Sequence, residues 1–386
     1  MTASSPALTP KQRMLSAYRG LKSDTVAVAP EFWYYYPAKL LGVDMIEFSR
    51  EVPFHQALKH TFEAFACEGW GAAFPAMPNP DIEGSGKERW ISETRLECRS
   101  VIRTPHGDLQ SASVLDRDEP GWVTERPLKD LVRDLEAYEV YSLPDPDLMD
   151  VTPLISAWEE VGDSYLLEAW LGVPFFDHFG SGREGALQQA IYDLYEHEER
   201  LEAFRRKHLE HMVHKTRLIC ERTPVESLVF GCSWSCNSLI SPALWRRWDK
   251  PVIAACTEEA HRHGRLVHVH FHGKCLDSVA DFAEIGLDCV CPFERPPGGD
   301  VEGLEGLREV ARLLDDKVTM NGNIHTVETL IRGTEADVRR EVGEVWEAFA
   351  HTPRVIIGTG DQVGRETPEE NLRAMVDEAR RLGPTG

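Results

Sequence analysis

Residues 265–273 read RLVHVHFHG. Apolar and histidine positions alternate along this run before a glycine stops it. With a period of two, His268, His270 and His272 leave one face of a strand. A segment with helical spacing follows around Leu276–Ile285, so the local unit is strand, glycine loop, helix.

The same unit recurs on both sides. SYLLEAWLGVPFF precedes a helical stretch from Glu184 to about Cys220. SLVFGCSW precedes a helix opened by Ser241 and Pro242 and closed near Gly264, a serine cap followed by a first-turn proline. DCVCPF leads through a glycine-rich loop to a helix with Leu304, Leu307, Val310 and Leu314 on one face. KVTMNGNI leads to a helix opened by Thr334 and Asp337 with the stripe Val338, Val342, Val345, Phe349. RVIIGTGD leads to TPEEN, where Thr367, Pro368 and Glu370 predict a cap, a first-turn proline and a capping-box acid. With DTVAVAP and GWGAAFP near the start there are eight strands, and strands alternating with helices pair in parallel. Eight such units make an α/β fold of the (β/α)8, or TIM, barrel type.

The segment from about 90 to 123 follows a different pattern, with strand-like runs joined at PHGD and no helix between. It predicts an antiparallel β-hairpin inserted between barrel units and covering the top. PKQRMLSAYRGL predicts an N-terminal helical extension across the barrel floor. No low-complexity linker divides residues 1–386, so one domain is expected.

The 386 residues carry 64 acidic and 42 basic side chains, a formal charge of −22. That charge repels nucleic acid and anionic lipid surfaces. No apolar run approaches a membrane span, and MTASSPALTPKQRM lacks a secretory core, so a cytoplasmic location is expected. The nine cysteines include the close pairs Cys232 with Cys236 and Cys289 with Cys291. Their spacing fits neither a redox motif nor a zinc ribbon, and buried thiols in a reducing compartment are expected.

Barrel chemistry collects at the carboxyl ends of the strands. Those ends carry Glu31 and Trp33; Cys232, Ser233 and Trp234; His270 and His272; Glu294; Asn323 and His325; and Thr359 and Asp361. Two histidines one residue apart can share a metal when Asp361, Glu294 or His325 supplies a third ligand, and nitrogen with oxygen suits zinc or another late divalent ion. His268 can equally be packed in a barrel layer. Trp33, Tyr34, Tyr35, Tyr36 and Trp234 fit an apolar or ring-bearing ligand.

SPALWRRWDKPVIAACTEEAHRHGRLVHVHFHGKCLDSVADFAEIGLDCV, then MNGNI, then GTGDQVGRETPEENLRAMVDEAR resemble the uroporphyrinogen decarboxylase superfamily. The closer resemblance is to its branch serving cobalamin-dependent methyl transfer. APEFWYYYPAKL replaces the arginine-rich substrate motif of the heme-pathway enzymes, which disfavours a porphyrinogen substrate. In the methyltransferase branch the resemblance implies zinc held by His-x-Cys and a later cysteine. Here His270, His272 and Asp361 take those places, a harder donor set suited to polarising an oxygen.

The resemblance therefore implies a metal-dependent methyltransferase moving a methyl group from a small methoxy-type compound to a corrinoid on a partner protein. Glu294 and His325 would be its catalytic groups, and Glu31, Trp33, Tyr35, Cys232, Trp234 and Asn323 its substrate contacts. Alternatives are a metal-assisted decarboxylase or lyase of a small carboxylic acid, using Asp361 with His325, and a catalytically silent ligand-binding barrel. An amidohydrolase would place its histidine pair on the first strand, not the fifth. Surface acidity is compatible with a homodimer.

Overall fold

The computed structural model describes residues 7–385; the first six residues of the opening segment lie outside them. Among the described residues twelve strands form two sheets. The barrel contains β1 (Ala27–Ala29) and β2 (Trp70–Ala73). An inserted sheet follows, with β3 (Glu83–Trp90), β4 (Arg95–Thr104), β5 (Gly107–Asp116) and β6 (Trp122–Glu125). The barrel resumes with β7 (Leu166–Gly172), β8 (Ser227–Cys232), β9 (Leu266–Phe271), β10 (Cys289–Pro292), β11 (Thr319–Ile324) and β12 (Val355–Thr359).

The eight barrel strands are all parallel and follow the order β1-β12-β11-β10-β9-β8-β7-β2, each neighbour hydrogen-bonded to the next. The expected TIM-barrel class is thus what the chain adopts, as a curled sheet whose first and last members, β1 and β2, share no ladder. A side chain serves at that seam. The Val28 N–H donates to Glu68 Oε2 at 2.9 Å, while Arg13 and Arg380 donate to Glu68 Oε1 at 3.0 and 2.9 Å. Glu68 is fully buried, and three donors satisfy a charge that burial alone would make costly.

Strand residues alternate between two cores. The inward set, Ala27, Ala29, Trp70, Ala72, Leu166, Val229, Leu266, Cys289, Cys291 and Ile356, packs as one cluster with Met14 and Tyr18. Those last two come from the helix Pro10–Tyr18, which closes the floor as expected. Its N-terminus is fixed by a Thr9–Gln12 capping box, and the Thr319 hydroxyl donates to the Ala17 carbonyl at 2.7 Å. The outward set packs against the surrounding helices.

Several local expectations change. The insertion is a four-stranded antiparallel sheet rather than a hairpin over 90–123. Every residue of β3 is exposed, so EGSGKERW carries no apolar alternation by which to see it. The helical stretch expected from Glu184 to about Cys220 is two helices, Ala186–Glu196 and Glu198–Arg222, and a further one, Phe175–Gly182, precedes it. Ser241 caps as expected by accepting from Leu244 N–H, but that helix ends at Trp248 and a second runs Lys250–Arg262. Thr334 and Asp337 form their capping box. Thr367 does not cap: the last helix is Glu369–Leu382 with Pro368 before it, and the Thr367 hydroxyl is buried without a partner.

Candidate metal centre

His268 and His270 of β9 and His272 just after it leave the same, inward face at successive heights. His268 lies in the barrel interior, fully buried, with Trp70 edge-on at 4.6 Å between ring centroids and Tyr18 at 5.7 Å. His270 stands above it at the end of the strand and His272 just beyond. The chain then turns at Gly273, whose φ of +68° is a left-handed conformation that favours glycine, and a Cβ there would meet Ser238 Oγ at 2.5 Å. The turn aims the Gly273 N–H at Glu294 Oε1, 2.7 Å away.

His272 donates Nδ1–H to the same Glu294 oxygen at 3.1 Å, leaving its Nε2 to face the Nε2 of His270 at 2.7 Å. Two imidazole lone pairs at that distance repel unless a cation lies between them. In the metal-free protein that cation is a proton. Burial opposes charge on His272, but the Glu294 hydrogen bond and the Asp361 and Glu31 carboxylates outweigh it and lift the ring to about 9. Burial and the two neighbouring imidazoles hold His270 well below the usual range.

Asp361 completes the set. Its Oδ1 accepts from Gln362 N–H at 2.6 Å, and Oδ2 lies 4.0 Å from His272 Nδ1. Ligand atoms of His270, His272 and Asp361 all lie within 4.8 Å of one another. Two nitrogens bound tetrahedrally at the usual zinc–nitrogen length stand about 3.3 Å apart, so the pair needs only a small opening to hold an ion. The donor set, two imidazole nitrogens and a carboxylate, fits a divalent metal. A second group, Glu31, His270 and Cys291, uses the other ring nitrogen of His270; all three residues are buried.

Above the histidines is a cavity of about 310 Å³ lined by Glu31, Trp33, Tyr34, Phe74, Trp170, Gly231, Ser233, His270, His272, Asp361 and Gln362. Burial, reinforced by Asp361, pushes the Glu31 carboxyl well above its usual range, and Glu31 Oε1 has no hydrogen-bond partner among the described residues. Burial also raises Asp361.

Of the expected site residues, the structure gathers His270, His272, Asp361, Glu31 and Trp33 around this cavity, with Glu294 orienting His272. His325 borders an adjoining space of about 190 Å³ that also touches Glu294 and Asp361. Its Nδ1 accepts from Val327 and Glu328 N–H at 3.2 Å each, capping the wide turn Thr326–Ile331, and its Nε2–H donates to Pro296 O at 3.0 Å. Both nitrogens are engaged away from the histidine pair.

Four substrate candidates lie elsewhere. Cys232 faces the outer core. Trp234 lies against Gly180, with Arg126 over its ring. Tyr35 stacks under Arg365 and donates to Glu119. Asn323 is buried and donates to the Phe293 carbonyl at 2.9 Å. Their neighbours Gly231, Ser233 and Tyr34 face the cavity instead. Phe74, Trp170 and Gln362 line it as well; of these only Trp170 is signalled by sequence, through the parity it shares with Leu166 and Glu168 on β7. The inserted sheet contributes no lining residue among those described, and touches the barrel loops through Glu119 and Arg117.

No curated protein matches the sequence. Among solved structures, a methyltransferase from Methanosarcina mazei superposes with a TM-score of 0.67 at 15% identity, covering 97% of this chain and 99% of that one. A cellulase of Bacteroidetes-affiliated origin reaches a TM-score of only 0.34 at 14% identity, over 59% of this chain and 73% of its own. The first likeness shows the barrel fold with its additions; the second carries no argument. The sequence profile of uroporphyrinogen decarboxylase (URO-D) matches residues 178–382, more than half of the chain and the part that holds β8 to β12 with both histidines. The chain belongs to the uroporphyrinogen decarboxylase family.

Proposed function

We propose that this protein is a metal-dependent methyltransferase that takes a methyl group from a small methoxy-type compound and passes it to a corrinoid on a separate carrier protein. The observation that carries the reading is the convergence of His270 Nε2 and His272 Nε2 at 2.7 Å beneath an aromatic-walled cavity, with Asp361 beside them. The methyltransferase fold likeness supports it.

His270, His272 and Asp361 would hold the ion, zinc or a near neighbour. When bound there, a divalent ion supplies a Lewis acid for the ether oxygen of the substrate. Trp33, Tyr34, Phe74 and Trp170 bury the apolar body of the substrate, exclude water and orient the methyl carbon outward. The C–O bonding pair stays with oxygen as the acceptor's electron pair forms the new bond to carbon. Glu31, whose carboxyl burial holds well above its usual range, lines the same cavity and is the group placed to hand a proton to the released oxygen.

The cavity walls disfavour a carboxylic acid substrate, because neither lysine nor arginine lines them among the described residues. Tyr34 and Phe74, 41% and 53% exposed, give the rim an apolar surface for a carrier protein to cover. All nine cysteines are free and no described helix is long and apolar enough to cross a membrane, which supports the cytoplasmic setting.

The test is a screen of metal-loaded protein with free reduced cobalamin against O-methyl, N-methyl and S-methyl compounds, read by the absorbance of the methylated corrinoid. Transfer from an O-methyl donor that is lost in the metal-free protein is expected. Metal-loaded protein inert toward every donor, or equally active without metal, would overturn the reading.

A further inference from the structure

Beneath the histidine pair runs a buried chain of polar groups that methyl transfer itself does not use. The Ser227 hydroxyl donates to Glu168 Oε1 at 2.6 Å, and Glu168 Oε2 lies 2.8 Å from His268 Nδ1. His268 Nε2 lies 3.1 Å from Cys291 Sγ, which lies 3.0 Å from His270 Nδ1. Glu168 and His268 are fully exposed to nothing but protein, and Cys291 is 2% exposed. The register places Cys291 directly beside His270 across the β9–β10 ladder.

With Glu168 accepting as a carboxylate, donation runs one way along the chain. An ionised carboxylate accepts and cannot donate, so His268 presents Nδ1–H to Glu168 and a bare Nε2 upward. The Cys291 S–H fills that nitrogen, and its sulfur then accepts Nδ1–H from His270. His270 is left with an unprotonated Nε2, the atom that faces His272 and the cavity. We infer that Glu168, His268 and Cys291 are positioning residues that fix the ring tautomer of His270, so that Nε2 is presented as a metal ligand.

This rests on the metal reading and deepens it. Ligating histidines are commonly held through their second nitrogen by a carboxylate or carbonyl; here a thiol and a second imidazole are interposed. Cys291 as a ligand itself, with Nδ1 and Glu31, fits less well. As a ligand Cys291 would draw Sγ away from His268 Nε2, which it also contacts at 3.1 Å.

The experiment compares wild type with Glu168→Gln, Cys291→Ser and Cys291→Ala. Glu168→Gln keeps the shape but offers an N–H to His268, which reverses the chain and puts the proton of His270 on Nε2. Ring-nitrogen NMR of the metal-free proteins reads that tautomer directly. His270 is expected as Nδ1–H in wild type and Cys291→Ser and as Nε2–H in Glu168→Gln. Zinc affinity, by competition with a chromophoric chelator, is expected to fall roughly 10- to 100-fold in Glu168→Gln and Cys291→Ala, with full stoichiometry at saturation, and to stay within a few-fold in Cys291→Ser. Cobalt-loaded wild type is expected to lack a thiolate charge-transfer band. An unchanged tautomer in Glu168→Gln, or wild-type affinity in both Glu168→Gln and Cys291→Ala, overturns the inference, and a thiolate band assigns Cys291 to the metal instead. Absence of metal binding in wild type defeats the metal reading, while the tautomer measurement still decides the chain.

Discussion

Gly231 lies beneath the indole of Trp170: a Cβ at residue 231 would come within 2.5 Å of Trp170 Cη2. The bare strand backbone of β8 thus lets the ring of β7 lie flat as a wall of the cavity. Gly231→Ala must push that wall inward or strain it, at a cost of about 1–3 kcal/mol. Thermal melting is expected to show the loss and tryptophan emission to shift, while metal stoichiometry stays at the wild-type value. Unchanged melting and emission would mean that the wall is not seated on Gly231.

Glu68 spans the seam between β1 and β2 in place of a ladder. Glu68→Ala leaves the Val28 N–H and the guanidiniums of Arg13 and Arg380 without their shared acceptor. Removing one partner from a buried charge network costs about 3–5 kcal/mol. Urea denaturation is expected to show a loss of that size, smaller for Glu68→Gln; a loss below 1 kcal/mol would place the closure elsewhere.

Asp249 accepts from Phe176 N–H at 2.6 Å, and its Oδ2 has no partner among the described residues. Burial pushes its carboxyl up to about 8. The unfolded chain gives up this proton near pH 4 and the folded chain near pH 8, so the contribution to stability is complete at acid pH and is lost as pH rises through that window. Asp249→Asn, neutral throughout, is expected to gain on wild type by up to about 1.4 kcal/mol per pH unit between pH 4 and 8. Parallel stability curves for the two proteins would contradict the shift.

The barrel could be read from sequence because each strand is buried on both faces and stands apart from its helices by glycine or polar loops. The histidine pair could be read for a simpler reason: alternation fixes which side chains share a face before any tertiary contact is known. The supporting chain could not, since Cys291 meets His270 only through the pairing register of β9 with β10. Strand parity on β8 turns Gly231 and Ser233 toward the cavity and Cys232 toward the outer core, a signal the side-chain chemistry of Cys232 and Trp234 hides. The aromatic run at 33–36 crosses from loop to helix, where no period holds, so nothing in it distinguishes Tyr34 from Tyr35.

The central claim is that His270 and His272 bind a metal between their Nε2 atoms. Elemental analysis of zinc-reconstituted, gel-filtered wild type, His270→Ala and His272→Ala tests it most directly, with circular dichroism confirming that each variant is folded. One ion per chain in wild type and essentially none in either variant is the predicted result. Folded variants that keep the wild-type metal content, or a wild type that retains none, would contradict it.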